Sequence, residues 1–129
     1  MVAPAPPLKQ LVIADDDAIA RAFLTAKMEQ RGFKVTAVTD GAAAIEAVVR
    51  INPDLVILDV LMPGLGGFET LRQLKASALT KHVPVVLLSA HHDVADVERA
   101  KSLGAADYII KPFLSEDVVS HLRKLGTGS

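Results

Sequence analysis

The sequence predicts one α/β domain, built as a parallel sheet of five strands with helices on both faces. Five short aliphatic runs rich in β-branched residues recur along the chain, as buried parallel strands do. Helical segments separate these runs, and right-handed crossovers then place helices on both faces of the sheet. Half of the residues are hydrophobic and only 4% are aromatic, a composition typical of α/β packing. A length of 129 residues fits one such domain.

The five predicted strands are short and nearly continuous in apolar residues, which indicates burial on both faces of the sheet. They cover residues 11–14, 35–38, 55–58, 85–88 and 108–110. Their even spacing is that of strand–helix units, because the segments show no repeat at the level of individual residues.

The first predicted helix follows strand one and carries two adjacent rows of apolar residues at i, i+4 spacing. Gly32 stands just beyond it, at the position where a C′ glycine ends a helix. The two rows are Ile19 with Phe23, and Ala20 with Leu24 and Met28.

The second and third predicted helices follow strands two and three. Asp40 and Gly41 open the second helix, which covers residues 42–50 and stops before Pro53. The third helix covers about residues 68–77.

The fourth and fifth predicted helices both begin at a residue that can cap a helix. Asp93 is the expected N-cap of the fourth helix, with Asp96 in its first turn, and this helix ends within residues 101–104. Ser115 is the expected N-cap of the fifth. The apolar residues that the fifth helix turns inward are Val118, Val119, Leu122 and Leu125.

Composition at the two ends predicts segments outside the fold. Residues 1–8 are rich in Pro and Ala and are expected to be flexible, residues 9–125 form the domain, and residues 126–129 form a flexible tail. The start of the chain lacks the basic and apolar regions of a secretory signal. Which part of a longer protein, if any, this chain represents is left open.

Charge and residue usage exclude several classes of protein. The net charge of −1 and a pI near 6.4 give no positive field for a phosphate backbone, so we expect no direct nucleic-acid binding. The apolar runs are too short to span a bilayer, and we expect no membrane association. The absence of cysteine fits a reducing compartment, and a cytoplasmic location is expected.

Three carboxylates stand at the ends of two predicted strands. Asp15 and Asp16 follow strand one, and Asp59 follows strand three. Ligands of open parallel sheets lie beyond the carboxyl ends of the strands, so these groups converge if the two strands are neighbours. Each pair of like charges repels by roughly 1 kcal/mol even in water, which calls for a cation. Oxygen ligands without His or Cys favour Mg²⁺.

The next two strands supply a hydroxyl and an ammonium at the same edge. Ser89 ends strand four and Lys111 follows strand five. A carboxylate nucleophile, a metal, a hydroxyl and a lysine together are what phosphoryl transfer to an aspartate requires. Any one of these aspartates alone is more often a solvated helix cap. The phosphoryl-transfer interpretation therefore depends on finding the three aspartates, Ser89 and Lys111 together at the strand ends.

Two weaker patterns have simpler interpretations. The glycines of "GLGGFE" lack the full dinucleotide-binding spacing and follow strand three, so they indicate a loop leading to the third helix. His91, His92 and Asp93 are adjacent in sequence and point in different directions, which favours a solvated helix start over a metal cluster.

Four motifs together resemble the receiver domain of two-component response regulators, including single-domain chemotaxis-type regulators. They are "LVIADDD", "PDLVILDVLMPGLGGFE", "VPVVLLSA" and "GAADYIIKPF", and the resemblance covers about residues 9–124. It implies a flavodoxin-like (βα)5 fold with a five-stranded parallel sheet in the order 2-1-3-4-5.

The resemblance also implies a set of functional residues. Asp59 would accept a phosphoryl group from a histidine kinase or a histidine phosphotransfer protein. Mg²⁺ would be held by Asp15, Asp16, Asp59 and the backbone carbonyl of Leu61. Ser89 and Lys111 would bind phosphoryl oxygens, with a cis peptide bond expected between Lys111 and Pro112.

Further positions follow from the same resemblance. Ser89 and Tyr108 would form the conformational switch. Leu61, Ala90 and His91 would tune the phosphoryl lifetime, and the apolar Leu61, which cannot orient a water, predicts slow self-dephosphorylation. The face formed by helix four, strand five and helix five would control a downstream protein target or output domain.

Two alternatives remain beside this phosphoacceptor switch, which is not an enzyme acting on a separate substrate. A haloacid-dehalogenase-like phosphatase also uses an aspartyl nucleophile, but it would need an aspartate where Leu61 stands. A degenerate receiver would be an interaction module independent of phosphorylation, and it would be favoured by loss of Asp59 or Lys111, both of which are present.

Overall fold

The computed structural model describes residues 9–90 and 93–111 and contains the predicted parallel sheet. Its strands are β1 (Lys9–Ala14), β2 (Phe33–Val38), β3 (Leu55–Asp59), β4 (Val85–Ser89) and β5 (Asp107–Ile110). All five predicted strands are confirmed, and each is one or two residues longer than predicted. The additional residues are mostly polar and therefore lay outside the apolar pattern.

The strand order β2-β1-β3-β4-β5 confirms the topology that the family resemblance implied. All four neighbouring pairs are parallel. At the centre of the sheet, Leu11 pairs with Leu55, so that β1 and β3 run side by side. The carboxyl ends of β1 and β3 therefore open at the same edge of the sheet.

Four helices lie within the described residues. They are α1 (Ala18–Gln30), α2 (Gly41–Ile51), α3 (Gly67–Ala76) and α4 (Val94–Ser102). The predicted bounds of α2, α3 and α4 are correct to within about two residues. The predicted fifth helix at Ser115 and the predicted flexible ends, residues 1–8 and 126–129, lie outside the described residues.

Aspartates cap three of these helices through side-chain hydrogen bonds. The Asp40 carboxylate accepts from the Ala43 amide at 2.8 Å, and the Asp93 carboxylate accepts from the Ala95 amide at 3.0 Å, as predicted for both helices. Asp17, which was not predicted to cap a helix, caps α1.

The two apolar rows of α1 have different environments. Leu24 and Met28 are buried against the sheet, whereas Ile19 is 82% exposed and Phe23 is 50% exposed. Gly32 follows the helix with φ of +93°, a left-handed conformation that glycine adopts without strain. The predicted helix end is therefore confirmed, and one of its two apolar rows faces the core.

Apolar side chains alternate between the two faces of the sheet. On one face α1 covers the sheet, and on the other face α2, α3 and α4 cover it. The strand residues under α1 are Leu11, Ile13, Leu55, Ile57, Val86 and Leu88, and those on the opposite face are Val12, Ala14, Val56, Leu58, Val85 and Leu87. Burial on both faces explains the continuous apolar runs of β3 and β4.

The glycine-rich segment after β3 leads to α3, as predicted, and brings that helix close to the strand end. The Gly67 amide donates to the Val60 carbonyl at 2.9 Å. A Cβ atom on Gly67 would lie 2.4 Å from the Asp59 carbonyl oxygen and 2.8 Å from the Val60 Cα. Only glycine therefore allows the first turn of α3 to contact the backbone beside Asp59.

We expect Gly67→Ala to lower the free energy of unfolding by about 1–3 kcal/mol, because the added methyl group clashes with backbone atoms that cannot rotate away. Urea denaturation measures the change. Gly66→Ala is the matched control, since its Cβ would lie at an ordinary contact distance of 3.4 Å from the Val60 carbonyl oxygen. Equal stabilities of the two variants would contradict the close approach.

Candidate functional site

Three carboxylates converge at the carboxyl edge of the sheet, as the sequence predicted. Asp15 directly follows β1, Asp16 follows Asp15, and Asp59 ends β3. One oxygen atom from each carboxylate lies within 4.8 Å of the others. Asp15 is 1% exposed and Asp59 is 7% exposed, whereas Asp16 is exposed to solvent. The adjacency of β1 and β3 produces this cluster.

Lys111 extends from the end of β5 to the two buried carboxylates. Its Nζ atom donates to Asp15 Oδ2 at 2.8 Å and lies 3.2 Å from Asp59 Oδ1. The Lys111 backbone amide donates to the Ser89 carbonyl at 2.7 Å, which fixes the base of the side chain beside β4. The ammonium therefore bridges carboxylates that come from two different strands.

Local hydrogen bonds hold Asp15 in place. Its Oδ1 atom accepts from the Asp17 amide at 3.0 Å. Its backbone carbonyl accepts from the Arg21 guanidinium at 2.8 Å, and its own amide donates to the Val38 carbonyl at 3.2 Å. Asp15 is thus fixed by the turn between β1 and α1, with its other carboxylate oxygen bonded to Lys111.

The electrostatics of the site leave Asp59 with a perturbed pKa. Burial raises the pKa of Asp59 above 3.8, the nearby charge of Asp15 raises it further, and Lys111 partly offsets both effects. Burial also lowers the pKa of Lys111, but its hydrogen bond to Asp15 and the charge of Asp59 outweigh burial and raise that pKa above 10.5. The lysine is therefore a permanent cation at neutral pH.

The donor atoms of the cluster fit a hard divalent cation. All three candidate ligands are carboxylates, and the Lys111 ammonium contacts two of them, Asp15 and Asp59, so that among the described residues the cluster keeps an excess of negative charge. Mg²⁺ prefers oxygen ligands and is commonly held by one or two carboxylates. Leu61, whose carbonyl the resemblance adds to this ligand set, is 62% exposed in the loop after β3.

The other predicted site residues occupy the same edge or the adjoining strand. Ser89 ends β4, is 2% exposed and lines a cleft of about 380 Å³ between the loop after β3 and α4. Tyr108 lies in β5 and is partly buried against the core, and Ala90 is exposed just after β4. His91 and the Lys111–Pro112 bond lie outside the described residues.

Three residues that support the site were not predicted to do so. Arg21 bonds the Asp15 carbonyl, Asp17 bonds the Asp15 carboxylate, and Gly67 allows α3 to approach Asp59. The close pair of glycines in "GLGGFE" was a usable signal for Gly67, because such pairs mark close backbone approach. No pattern in the sequence pointed to Arg21.

None of the described helices has both the length and the apolar character needed to cross a membrane.

Comparison with known proteins identifies one family. The family model described as the response regulator receiver domain matches residues 11–123. DNA-binding response regulator MtrA of Mycobacterium tuberculosis is 37% identical over 115 residues, which are 89% of this chain and 49% of MtrA. The chain thus spans about half the length of the curated relatives it matches.

Solved structures of receiver domains share the fold. The signal receiver domain of a histidine kinase from Syntrophus aciditrophicus is 32% identical, with a TM-score of 0.84, over 93% of this chain and 91% of that chain. The BeF3-activated N-terminal receiver domain of Klebsiella pneumoniae RstA is 27% identical, with a TM-score of 0.83, over 91% of this chain and 97% of that chain.

The raised pKa of Asp59 predicts a pH-dependent gain in stability from Asp59→Asn. The wild-type protein loses stability as pH rises through this pKa, because the carboxyl group must ionise in a buried site. The variant should therefore be more stable than the wild type near neutral pH, by about 1 kcal/mol. This advantage should decline as pH falls toward the ordinary value of 3.8.

Urea denaturation across this pH range measures the difference in unfolding free energy. Asp93→Asn is the matched control, because asparagine preserves the cap of α4 and removes only an exposed carboxylate. If Asp59→Asn is no more stable than the wild type at neutral pH, the ionised Asp59 carboxylate does not lower the free energy of unfolding, and the prediction is wrong.

Proposed function

The chain belongs to the response regulator receiver domain family, and we propose that its Asp59 accepts a phosphoryl group from a histidine kinase or a histidine phosphotransfer protein. Receiver domains of response regulators are signalling switches. We assign this receiver domain to residues 9–125. The proposal is carried by one observation, the Lys111 ammonium placed between the buried carboxylates of Asp15 and Asp59.

Asp59 is the proposed nucleophile. One of its carboxylate oxygens attacks the phosphorus atom of a phosphohistidine, and the bond between phosphorus and the imidazole nitrogen breaks. The bonding electrons leave with the imidazole. If the phosphohistidine ring was protonated before transfer, the imidazole leaves as a neutral group; otherwise it takes a proton from water. The position of Asp59 at the end of a fully buried strand supports this role, because a rigid strand fixes the attacking oxygen.

Lys111 is proposed to bind one oxygen of the transferred group. Its ammonium already lies 3.2 Å from the Asp59 carboxylate, so a phosphoryl group on Asp59 falls within its reach. A charge-assisted hydrogen bond at this point stabilises the charge on the equatorial oxygens during transfer. The second partner of Lys111, Asp15, keeps the ammonium in place.

Asp15, Asp16 and Asp59 are the proposed ligands of Mg²⁺, together with the backbone carbonyl of Leu61. The convergence of the three carboxylates within 4.8 Å supports this assignment. When bound, the ion would neutralise carboxylate and phosphoryl charge together, which is the main requirement of phosphoryl transfer. The resemblance to receiver domains implies that Asp15, which is also bonded to Lys111, would hold the ion largely through water.

Ser89 and Tyr108 are proposed to convert phosphorylation into a change of shape. A hydrogen bond to a charged group contributes about 1.5–3 kcal/mol, so the two or three that form with the phosphoryl group can shift a poised equilibrium by a few kcal/mol. The Ser89 hydroxyl moves toward the phosphoryl group and Tyr108 moves inward. The face of α4, β5 and the predicted fifth helix then controls a partner protein or an output domain.

We expect the protein to gain one phosphoryl group when it is incubated with Mg²⁺ and acetyl phosphate, because Asp59 is the proposed acceptor and the metal neutralises the charge of the donor. Intact-mass spectrometry measures the gain. It should vanish in Asp59→Asn and when the metal is chelated.

Asp54→Asn is the control for this experiment, since Asp54 lies at the other end of β3 and bonds the Gln10 amide. That variant should be phosphorylated at the wild-type rate. No gain of mass in the wild-type protein would favour a degenerate receiver that acts without phosphorylation.

We expect the phosphorylated protein to be long-lived, and Leu61→Asn to shorten its lifetime about fivefold. The exposed Leu61 cannot hydrogen-bond a water, whereas an amide at this position could orient the attacking water through one hydrogen bond. Loss of the phosphoryl mass over time measures the rate. Leu61→Ala is the control, because it opens the pocket without adding a group that can orient a water. Rapid hydrolysis in the wild-type protein that Leu61→Asn leaves unchanged would contradict the proposed role of Leu61.

A further inference from the structure

Arg99 of α4 contacts the aromatic ring that begins α3. Its guanidinium carbon lies 4.3 Å from the centroid of the Phe68 ring, well within the range of a cation–π contact. Phe68 is 9% exposed and packs into the core between the sheet and the helices on that face. The contact therefore joins α4 to a rigid position in the first turn of α3.

That first turn is itself fixed to the backbone beside Asp59. The preceding residue, Gly67, bonds the Val60 carbonyl at 2.9 Å and has no room for a Cβ atom beside the Asp59 carbonyl. A continuous line of contacts thus connects Asp59 with α4 through Gly67, Phe68 and Arg99.

Glu69 lies beside this contact, in the first turn of α3. Its carboxylate accepts hydrogen bonds from Arg72 and, at 3.3 Å, from Gln73. These bonds lower the pKa of Glu69 to about 2, and the charge of Arg99 acts in the same direction.

The contact lies at the cleft into which Ser89 also faces. Phe68, Glu69 and Arg99 line this space of about 380 Å³ together with Ser89 and the start of the loop after β3. Because Ser89 and Arg99 line the same cleft, a rearrangement of this cleft around a phosphoryl group on Asp59 would alter the space between α3 and α4, which the contact between Arg99 and Phe68 spans.

We propose that the cation–π contact between Arg99 and Phe68, called the latch below, holds α4 against α3. It would oppose a displacement of α4 that follows phosphorylation of Asp59. This inference rests on the proposed function. Arg99 is a positioning residue, because it acts on α4 and does not touch the phosphoryl group. Removing the latch makes the displaced arrangement easier to reach and so tightens the binding of any group that mimics the phosphoryl group.

The test is a titration of the full chain with beryllofluoride in the presence of Mg²⁺. Tyr108 is the single tyrosine and the chain has no tryptophan, so intrinsic tyrosine fluorescence reports on β5 directly. In Arg99→Gln the half-saturating concentration of beryllofluoride should fall about two- to fivefold, the factor that corresponds to one exposed cation–π contact. Phe68→Leu should act in the same direction, and Arg99→Lys should give an intermediate value.

Lys101→Gln is the matched control, because it removes the same charge from an exposed position of the same helix. Its half-saturating concentration should equal that of the wild type. Hydrogen exchange without beryllofluoride gives a second measurement, in which the amides of α4 should exchange about two- to fivefold faster in Arg99→Gln than in the wild type.

A half-saturating concentration that is unchanged or raised in Arg99→Gln would overturn the latch. A purely structural role of Arg99 would give that result, since it would lower the unfolding midpoint without tightening the binding of beryllofluoride. A wild-type protein that fails to respond to beryllofluoride would instead overturn the proposed function, and the latch with it. The wild-type titration therefore distinguishes the two failures.

Discussion

The balance of charge between two buried carboxylates and one lysine ammonium is the interaction on which this site depends. Asp15 and Asp59 are almost fully buried, and their mutual repulsion would be costly without the bridging ammonium of Lys111. The parallel pairing of β1 with β3 forces the two carboxylates together, because Asp15 directly follows β1 and Asp59 ends β3, and the side chains of both strands fill the core. The apolar sheet thus supplies the free energy that holds like charges side by side.

The same balance prepares the site for chemistry. One ammonium does not offset three carboxylates, so a bound cation would reduce the repulsion among them. Burial and the neighbouring Asp15 raise the pKa of Asp59, as is common for groups in functional sites. The electrostatic cost of the buried carboxylates in the folded protein and the proposed reactivity of Asp59 toward a phosphoryl donor therefore have one physical origin.

Close packing beside the site restricts how β3 and α3 can move. A Cβ atom on Gly67 would clash with the backbone beside Asp59, so the first turn of α3 lies directly against the end of β3. Close-packed elements move as units, so we expect α3 and this end of β3 to move together. A cleft of about 380 Å³ lies between the loop after β3 and α4, and the contact between Arg99 and Phe68 joins α4 to α3 beside it.

Much of the fold was predictable because local pattern reports local structure. Continuous apolar runs identified all five strands, and Asp40 and Asp93 marked the starts of α2 and α4. Aspartates directly after two strands identified the candidate cluster, since strand ends fix where such side chains lie. The strand order came only from the resemblance of the motifs to receiver domains, because periodicity does not state which strands are neighbours.

By itself the sequence determined the elements, their caps and the chemical types gathered at one edge of the sheet. The tertiary structure alone decided which apolar row of α1 is buried, since Leu24 and Met28 face the sheet while Ile19 and Phe23 do not. It also decided the bond between Lys111 and Asp15, which are 96 positions apart, and the contact between Arg99 and Phe68. The reason is physical: a helical or strand period reports that a side chain can be buried, whereas its partner depends on strand order and register.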